Sequence, residues 1–353
     1  MSSEPRLAAL LALPGADETM RAAAVDELDR KTKPRGSLGR LEELAAQIAA
    51  IRGTTRPEPV RAAIVVAVAD HGVAREGVSA YPQEVTAQMV ANFATGGAAI
   101  CVLARAAGAE LVVVDAGVAT RVEHASVRSL RIGDGTANAV DGPAMTREQA
   151  VASIVAGAEL ASELASDGVT AIALGEMGIG NTTAASAVSC ALLGRGAGEL
   201  CGPGTGLDAA GVARKSAVVT AMLDRNAPDG DDPVGVLAAV GGFEIGVLAG
   251  VALQAAADRC VVVLDGFITG AAALVATRLT PALTGYLVAS HRSAEPGHRI
   301  VLDALGLEPL LELELRLGEG SGAALALPLV SAARDILVDM ATFADAGVTD
   351  TGR

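Results

Sequence analysis

The stretch VTAIALGEMGIGNTTAA, residues 169–185, combines an acidic side chain with a glycine-rich loop. Its apolar start predicts a buried strand, three glycines between residues 175 and 180 predict a turn, and Asn181 opens a helical segment. A strand, a glycine loop and a helix start direct free backbone N–H groups at an anion, as phosphate-binding loops do. Because Glu176 lies in this loop, the stretch predicts an enzyme that acts on a phosphorylated sugar.

Two other classes of protein remain open at this point. The spacing from Gly175 to Gly180 copies a P-loop and would suit an enzyme that cleaves nucleotide phosphates, but Asn181 stands where a P-loop has lysine. The second alternative is a non-catalytic phosphosugar-binding protein. Two glutamates in glycine-rich loops, Glu176 and Glu319, count against it.

Four further segments carry polar or glycine-rich clusters: residues 70–82, 202–206, 290–293 and 317–322. Each also has a purely structural explanation, as a strand-to-helix connection, a turn or a helix cap. Tyr81 offers a stacking surface for a planar ligand in a chain that has only two Tyr, four Phe and no Trp.

Apolar segments alternate with helical ones, which predicts an α/β fold: a parallel sheet of about six strands with helices on both faces. The predicted strands are Ala62–Ala69, Leu111–Asp115, Val127–Ile132, Val169–Leu174, Cys260–Leu264 and Gly285–Ala289. The motifs follow strand ends, where open α/β sheets bind their ligands. We expect a large Rossmann-like domain over residues 56–314, and a small helical domain built from residues 1–55 and 315–353.

Helices are predicted near both chain ends and between the strands. Their approximate ranges are 17–31, 37–52, 82–107, 146–166, 184–193, 208–223, 243–257, 266–279 and 322–343. Asp17, Thr146 and Asp208 have the residue types that cap a helix N-terminus.

Composition excludes several classes of partner. A net charge of −14 over 353 residues disfavours nucleic acids and anionic membranes. The four cysteines are widely spaced and predict buried thiols rather than a zinc site, so we expect no metal and no cofactor. We found no signal peptide and no charge-free apolar stretch of about 18 residues, which predicts a cytoplasmic protein without a membrane span.

Seven motifs in order resemble those of nicotinate-nucleotide–dimethylbenzimidazole phosphoribosyltransferases over nearly the whole chain. They are KPRGSLGRLEELA at 33–45, ADHGVAREGVSAYPQEVTAQM at 69–89, GEMGIGNTTAASA at 175–187, GPGTGLD at 202–208, LDGFITGAAAL at 264–274, SHRSAEPGH at 290–298 and LRLGEGSGAALALP at 315–328. Gly180 stands where this family often has alanine, which is also small.

The resemblance implies transfer of the phosphoribosyl group from nicotinate mononucleotide to 5,6-dimethylbenzimidazole, which forms α-ribazole 5′-phosphate and releases nicotinate. It also implies a homodimer and a role for twelve residues. Glu319 matches the general base and Glu176 a second carboxylate of the pocket. The benzimidazole pocket would contain Ser79, Tyr81, Gln88 and Met177. The phosphate and ribose would contact Gly178, Asn181, Thr182, Gly204, Lys215 and Ser293.

Overall fold

The computed structural model describes residues 3–349, so residues 1, 2 and 350–353 of the two predicted terminal segments lie outside it. Six parallel strands form one sheet in the order β3-β2-β1-β4-β5-β6. Their bounds are β1 Ala62–Ala69, β2 Glu110–Gly117, β3 Val127–Ser129, β4 Ala171–Met177, β5 Val261–Leu264 and β6 Leu287–Ala289. The α/β class and the six-stranded parallel sheet are therefore confirmed.

Fifteen α-helices occur within residues 3–349. They are α1 Ser3–Leu10, α2 Glu18–Asp29, α3 Arg40–Arg52, α4 Val85–Ala94, α5 Ala99–Ala107, α6 Arg147–Ser166, α7 Asn181–Leu193, α8 Ala197–Leu200, α9 Ala209–Asn226, α10 Pro233–Val240, α11 Phe243–Ala257, α12 Phe267–Leu279, α13 Pro296–Leu305, α14 Ser321–Asp339 and α15 Phe343–Ala346. The predicted caps form: Asp17 accepts from two N–H groups of α2, and Thr146 makes a capping box with Gln149 of α6.

The strand order reverses direction between β1 and β4, because the chain moves outward from β1 to β3 and then returns to the other side of β1. At such a switch point the connections leave in opposite directions and open a crevice at the carboxyl ends of the strands. The register pairs Ala67 of β1 with Glu176 of β4, so Glu176 lies at this crevice. The topology therefore brings the glycine-rich motifs to one edge of the sheet.

Several sequence-based predictions of element bounds are wrong. Strand β3 was predicted to run to Ile132 but ends at Ser129, and β6 begins at Leu287 rather than at Gly285. The predicted helix over 82–107 is two helices, α4 and α5, separated at residues 95–98, where Gly96 adopts a φ of 79°. The strand predicted to end at Leu174 continues to Met177, so Gly175 is a strand residue rather than a turn. Helix α10 was not predicted, although Asp232 caps it and Pro233 occupies its first turn.

Two apolar segments of the described chain, Val85–Ala107 and Ser321–Asp339, are long enough to cross a membrane by length and composition, so the expectation that the chain lacks such a stretch is wrong. The first is divided into helices of 10 and 9 residues, whereas a span needs about 20. The second packs against β4 and β5, and 56% of its most apolar window is buried. Neither segment carries further evidence of a membrane span, and its absence stays a prediction.

The ends of the chain lie against each other. Lys31 Nζ donates to the Met340 carbonyl at 2.8 Å, and the Phe343 N–H donates to the Arg30 carbonyl at 3.0 Å. Helix α14 also packs against α3 and α5. Residues from both ends therefore form a common helical layer next to the sheet.

Helices α6 and α11 pack closely because glycines face backbone at their crossing. A Cβ added at Gly157 would overlap the carbonyl oxygen of Val247, and one at Gly250 would overlap the carbonyl oxygen of Ile154. Helix α11 in turn packs against β1, β2 and β4. The close packing of α6 against α11 therefore helps to hold α11 against the switch-point strands β1 and β4.

We predict that Gly157→Ala lowers the free energy of unfolding by about 1–3 kcal/mol, the usual cost of overpacking a core. The backbone of α11 cannot move away as cheaply as a flexible side chain. Denaturant unfolding would measure the change. Gly198→Ala in α8 is the control, because a Cβ there meets nothing within 4 Å. Equal stability of the two variants would contradict the prediction.

Candidate active site

A cavity of about 250 Å³ opens at the carboxyl ends of the strands on the switch-point side of the sheet. Eight of the twelve predicted residues line it: Tyr81, Glu176, Met177, Gly178, Asn181, Thr182, Gly204 and Ser293. A larger cavity of about 600 Å³ lies elsewhere, and Arg147 is the only charged residue among the described residues that line it. We therefore place the candidate site in the smaller cavity, where acidic groups and glycine backbone meet.

The remaining four predicted residues do not line the cavity. Lys215 is buried and donates to the Gly202 carbonyl at 3.0 Å, and Ser79 lies 3.2 Å from the cavity residue Thr205, hydroxyl to hydroxyl. Gln88 is exposed on α4. Glu319 directly follows the lining residue Gly318 and is only 5% exposed.

Glu319 is held against β4 by backbone contact. Its N–H donates to the Glu176 carbonyl at 3.2 Å, and a Cβ added at Gly175 would lie 2.6 Å from the Glu319 carbonyl oxygen. Any side chain larger than hydrogen at residue 175 would therefore displace the loop. The Glu319 carboxylate accepts from the Ile100 N–H at 3.4 Å, in the first turn of α5. Burial raises the pKa of Glu319, and the Ile100 N–H opposes this shift.

Glu176 is a strongly perturbed carboxyl group of the site. Burial, together with the nearby Asp265 and Glu244 carboxylates, raises its pKa to about 8. The Asn181 side-chain amide donates to Glu176 Oε2 and partly offsets that rise. The neutral acid is thus the favoured form of Glu176 in the free protein at pH 7.

The opposite end of the cavity contains a buried cation and a buried carboxylate. Glu295 Oε1 accepts from the Gly204 N–H at 2.7 Å, and Glu295 Oε2 has no hydrogen-bond partner within residues 3–349. Burial lowers the pKa of Lys215 and raises that of Glu295, and each charge partly counteracts the shift of the other. These two groups keep the 202–206 loop next to the start of α7.

Several site residues were not among the twelve predicted. They include Gly266, Phe267, Ile268, His291, Glu295, Arg316 and Leu317 of the cavity wall, and Ile100 beside Glu319. Gly266 and His291 follow strand ends, so their positions carried a usable signal. For Ile100 the only signal in the sequence was the Gly96-Gly97 pair that precedes α5. Within residues 3–349 no group of three or more His, Cys, Asp or Glu side chains has the arrangement of a metal site.

A glycine-lined cavity at the switch point of a parallel sheet, with the buried Glu176 in its wall and the buried Glu319 directly beyond it, fits a transferase that acts on a phosphorylated sugar. The family model described as Phosphoribosyltransferase (DBI_PRT) matches residues 13–348, and the chain belongs to this family.

Curated relatives share about half of their residues with this chain. The nicotinate-nucleotide–dimethylbenzimidazole phosphoribosyltransferase of Chloroflexus aurantiacus is 54% identical over 95% of each chain, and that of Azotobacter vinelandii is 52% identical over 96% of each. The crystal structure of CobT from Thermus thermophilus superimposes with a TM-score of 0.90 at 49% identity, covering 94% of this chain and 99% of that one.

The raised pKa of Glu176 predicts a pH-dependent effect of Glu176→Gln on stability without substrate. A carboxyl group whose pKa is higher in the folded state stabilises the fold below its unfolded value, and loses that contribution as pH rises through the folded value. We expect similar melting temperatures for wild type and Glu176→Gln near pH 5, and a variant more stable by a few °C near pH 9.

The control for this measurement is Glu43→Gln, whose side chain is 76% exposed. Differential scanning calorimetry across pH 5–9 would measure both variants. A stability difference between wild type and Glu176→Gln that does not change with pH would show that Glu176 is not held in the neutral form.

Proposed function

We propose that the cavity transfers the phosphoribosyl group of nicotinate mononucleotide to 5,6-dimethylbenzimidazole by direct displacement, with Glu319 as the general base. The observation that carries this proposal is the pair of buried carboxylates, Glu176 and Glu319, joined by a backbone hydrogen bond beside a glycine-lined cavity. The names of the curated relatives support the two substrates.

The leaving group needs little help from the protein. The pyridinium of nicotinate mononucleotide already carries positive charge, so nicotinate departs without a general acid, unlike a glycosidic oxygen. One ring nitrogen of benzimidazole attacks the anomeric carbon from the opposite face, which inverts the configuration from β to α. Holding the two reactants in line supplies a large part of the rate.

The attacking base has one proton to lose. As its first nitrogen bonds to the sugar, the ring becomes cationic and the N–H on the second nitrogen becomes acidic. A single ionised carboxylate within hydrogen-bond reach is sufficient to accept that proton. Glu319, directly beyond the lining residue Gly318, has this role in the proposal.

Glu176 has a different role, which its electrostatic surroundings support. Its pKa of about 8 keeps it neutral in the free protein, but a bound pyridinium cation favours the ionised form. Positive charge that builds on the ribose in the transition state favours the carboxylate further. Glu176 therefore stabilises the sugar during transfer and takes no proton from the base.

The phosphate group serves as a handle and stays on the ribose. Asn181 and Thr182, at the start of α7, line the cavity together with Gly204 and Thr205 of the 202–206 loop. Lys215 supports that loop from below through the Gly202 carbonyl. The other predicted contacts, Ser79, Tyr81, Gln88 and Met177 for the base and Gly178 and Ser293 for the ribose phosphate, remain part of this proposal.

The proposal extends to a homodimer in the cytoplasm, with a small helical domain formed by residues 1–55 and 315–353 beside a large domain over 56–314. The homodimer is supported by large apolar side chains that are exposed at the cavity mouth, since Tyr81 is 55% and Leu317 56% exposed. The contacts between Lys31 and Met340 support a common domain of the two chain ends.

We predict that Glu319→Gln lowers kcat for dimethylbenzimidazole by roughly 10²–10⁴, the scale of lost acid–base catalysis, with little change in substrate binding. The wild-type rate should rise with pH as Glu319 ionises, with a midpoint above an ordinary glutamate, and the variant should lack this rise. Nicotinate release measures both. Wild-type turnover by Glu319→Gln would disprove the assignment.

A 1-alkylated benzimidazole separates the two glutamates. Its attacking nitrogen is free, but it has no N–H to lose. Its reaction should be insensitive to Glu319→Gln and sensitive to Glu176→Gln.

We predict that Lys215→Ala raises KM for nicotinate mononucleotide much more than KM for the base, because the loop beside the phosphate loses its buried support. The matched control is Arg214→Ala on the same helix, since Arg214 is exposed and reaches only the Gly77 carbonyl at 3.4 Å. Steady-state kinetics with each substrate varied in turn would measure the split. A change confined to KM for the base would contradict the assignment of Lys215 to the phosphate end of the cavity.

A further inference from the structure

Asp265, at the end of β5, binds the backbone on which Glu319 is presented. Its side chain is 1% exposed, and its two oxygens accept three N–H groups: Gly320 at 3.1 Å, Gly322 at 2.7 Å and Ala323 at 3.1 Å. These three donors lie just after Glu319, at the N-cap Gly320 and in the first turn of α14. The Asp265 carboxylate, just after β5, thus holds the Glu319 loop from the side opposite β4.

The held backbone is strained. Glu319 has a φ of 63°, between Gly318 at 82° and Gly320 at 86°. A non-glycine residue in this left-handed region is sterically unfavourable and persists only where its surroundings enforce it. Two contacts enforce it from the β4 side, the Glu176 carbonyl and the bare Gly175. Asp265 enforces it from the β5 side.

Asp265 itself is in an unfavourable place for a negative charge. Burial, and to a smaller extent the Glu319 charge, raises its pKa to about 7, although the three N–H groups lower it. His291 Nδ1 lies 3.8 Å from Asp265 Oδ1, but burial lowers the pKa of His291 to about 4, so the imidazole is neutral at pH 7. A simple helix cap would not require a fully buried carboxylate next to two other acids, which indicates a role beyond capping.

We propose that Asp265 is a positioning residue for the transfer reaction, which fixes the Gly318–Gly320 turn so that the Glu319 carboxylate is presented to the N–H of the attacking base. The proposal rests on the role of Glu319 as general base given above. Asp265 does not contact the base and takes no proton. It acts only through the position of Glu319.

The test is a double-mutant cycle of Asp265→Asn and Glu319→Gln. An amide at residue 265 retains one acceptor oxygen and loses the other, so the turn loses part of its anchor. In the wild-type background we expect Asp265→Asn to lower kcat by roughly 10²-fold, the cost of a displacement near 1 Å, with little change in KM for nicotinate mononucleotide. In the Glu319→Gln background the same substitution should cost almost nothing further.

The control is Asp232→Asn. Asp232 also caps a helix, since it accepts the Gly235 N–H at 3.1 Å at the start of α10. It makes no hydrogen bond to the Glu319 loop among the described residues. We expect its kcat to equal that of the wild type. If Asp265→Asn does not fold, Asp265→Glu replaces it, since the longer side chain keeps both oxygens but shifts them by one methylene. For Asp265→Glu we expect the same two results: a lower kcat in the wild-type background and almost no further loss in the Glu319→Gln background.

The outcomes are distinct. Equal loss from Asp265→Asn in both backgrounds, or a loss expressed mainly in KM for nicotinate mononucleotide, would overturn the positioning role. Full activity of the Glu319→Gln single variant would instead overturn the assignment of the general base. A loss in the wild-type background only would support the proposal.

Discussion

Three carboxylates, Glu176, Asp265 and Glu319, are buried together at the carboxyl ends of β4 and β5, and the rest of the site is organised around the cost of that burial. Within the described part of the chain, none of the neighbours that shift the pKa values of these three carboxyl groups is a lysine or an arginine. Removing unpaired charges from water is expensive, so each carboxyl shows a raised pKa. Such a site favours a cationic ligand, and a pyridinium nucleotide carries the required charge.

Backbone N–H groups replace the missing side-chain cations. Ile100 in the first turn of α5 donates to Glu319, and the first turn of α14 donates to Asp265. Helix N-termini stabilise negative charge through their free N–H groups and the aligned peptide dipoles. These donors cannot leave the site or compete with the substrate, as a mobile lysine would. After transfer the pyridine nitrogen of nicotinate is neutral, so the charge that attracted the nucleotide is gone and release of nicotinate is favoured.

The sequence was sufficient to predict the sheet, because buried parallel strands are continuous apolar runs between turns. Strand β1 has the predicted bounds, Ala62–Ala69. The break between α4 and α5 was missed because apolar residues continue across it, so composition favours one helix. Only the Gly96-Gly97 pair marks it. The partners of Asp265 were beyond prediction for a different reason: the hydrogen bonds join residues 55 or more positions apart, and only the assembled sheet brings them together.

Gly175 shows why the likeness to a P-loop is superficial. In a P-loop the first glycine belongs to the turn that wraps the phosphate, whereas Gly175 lies inside β4 and has the Glu319 carbonyl where a Cβ would stand. Its lack of a side chain therefore permits the contact between β4 and the Glu319 loop. The same spacing of glycines serves packing at its first position and opens α7 at its last, Gly180, with a φ of 97°. A pattern of glycines therefore predicts a ligand site only where the backbone conformation at each glycine is known. At residue 175 the glycine instead permits the close approach of two acidic segments, β4 with Glu176 and the loop with Glu319.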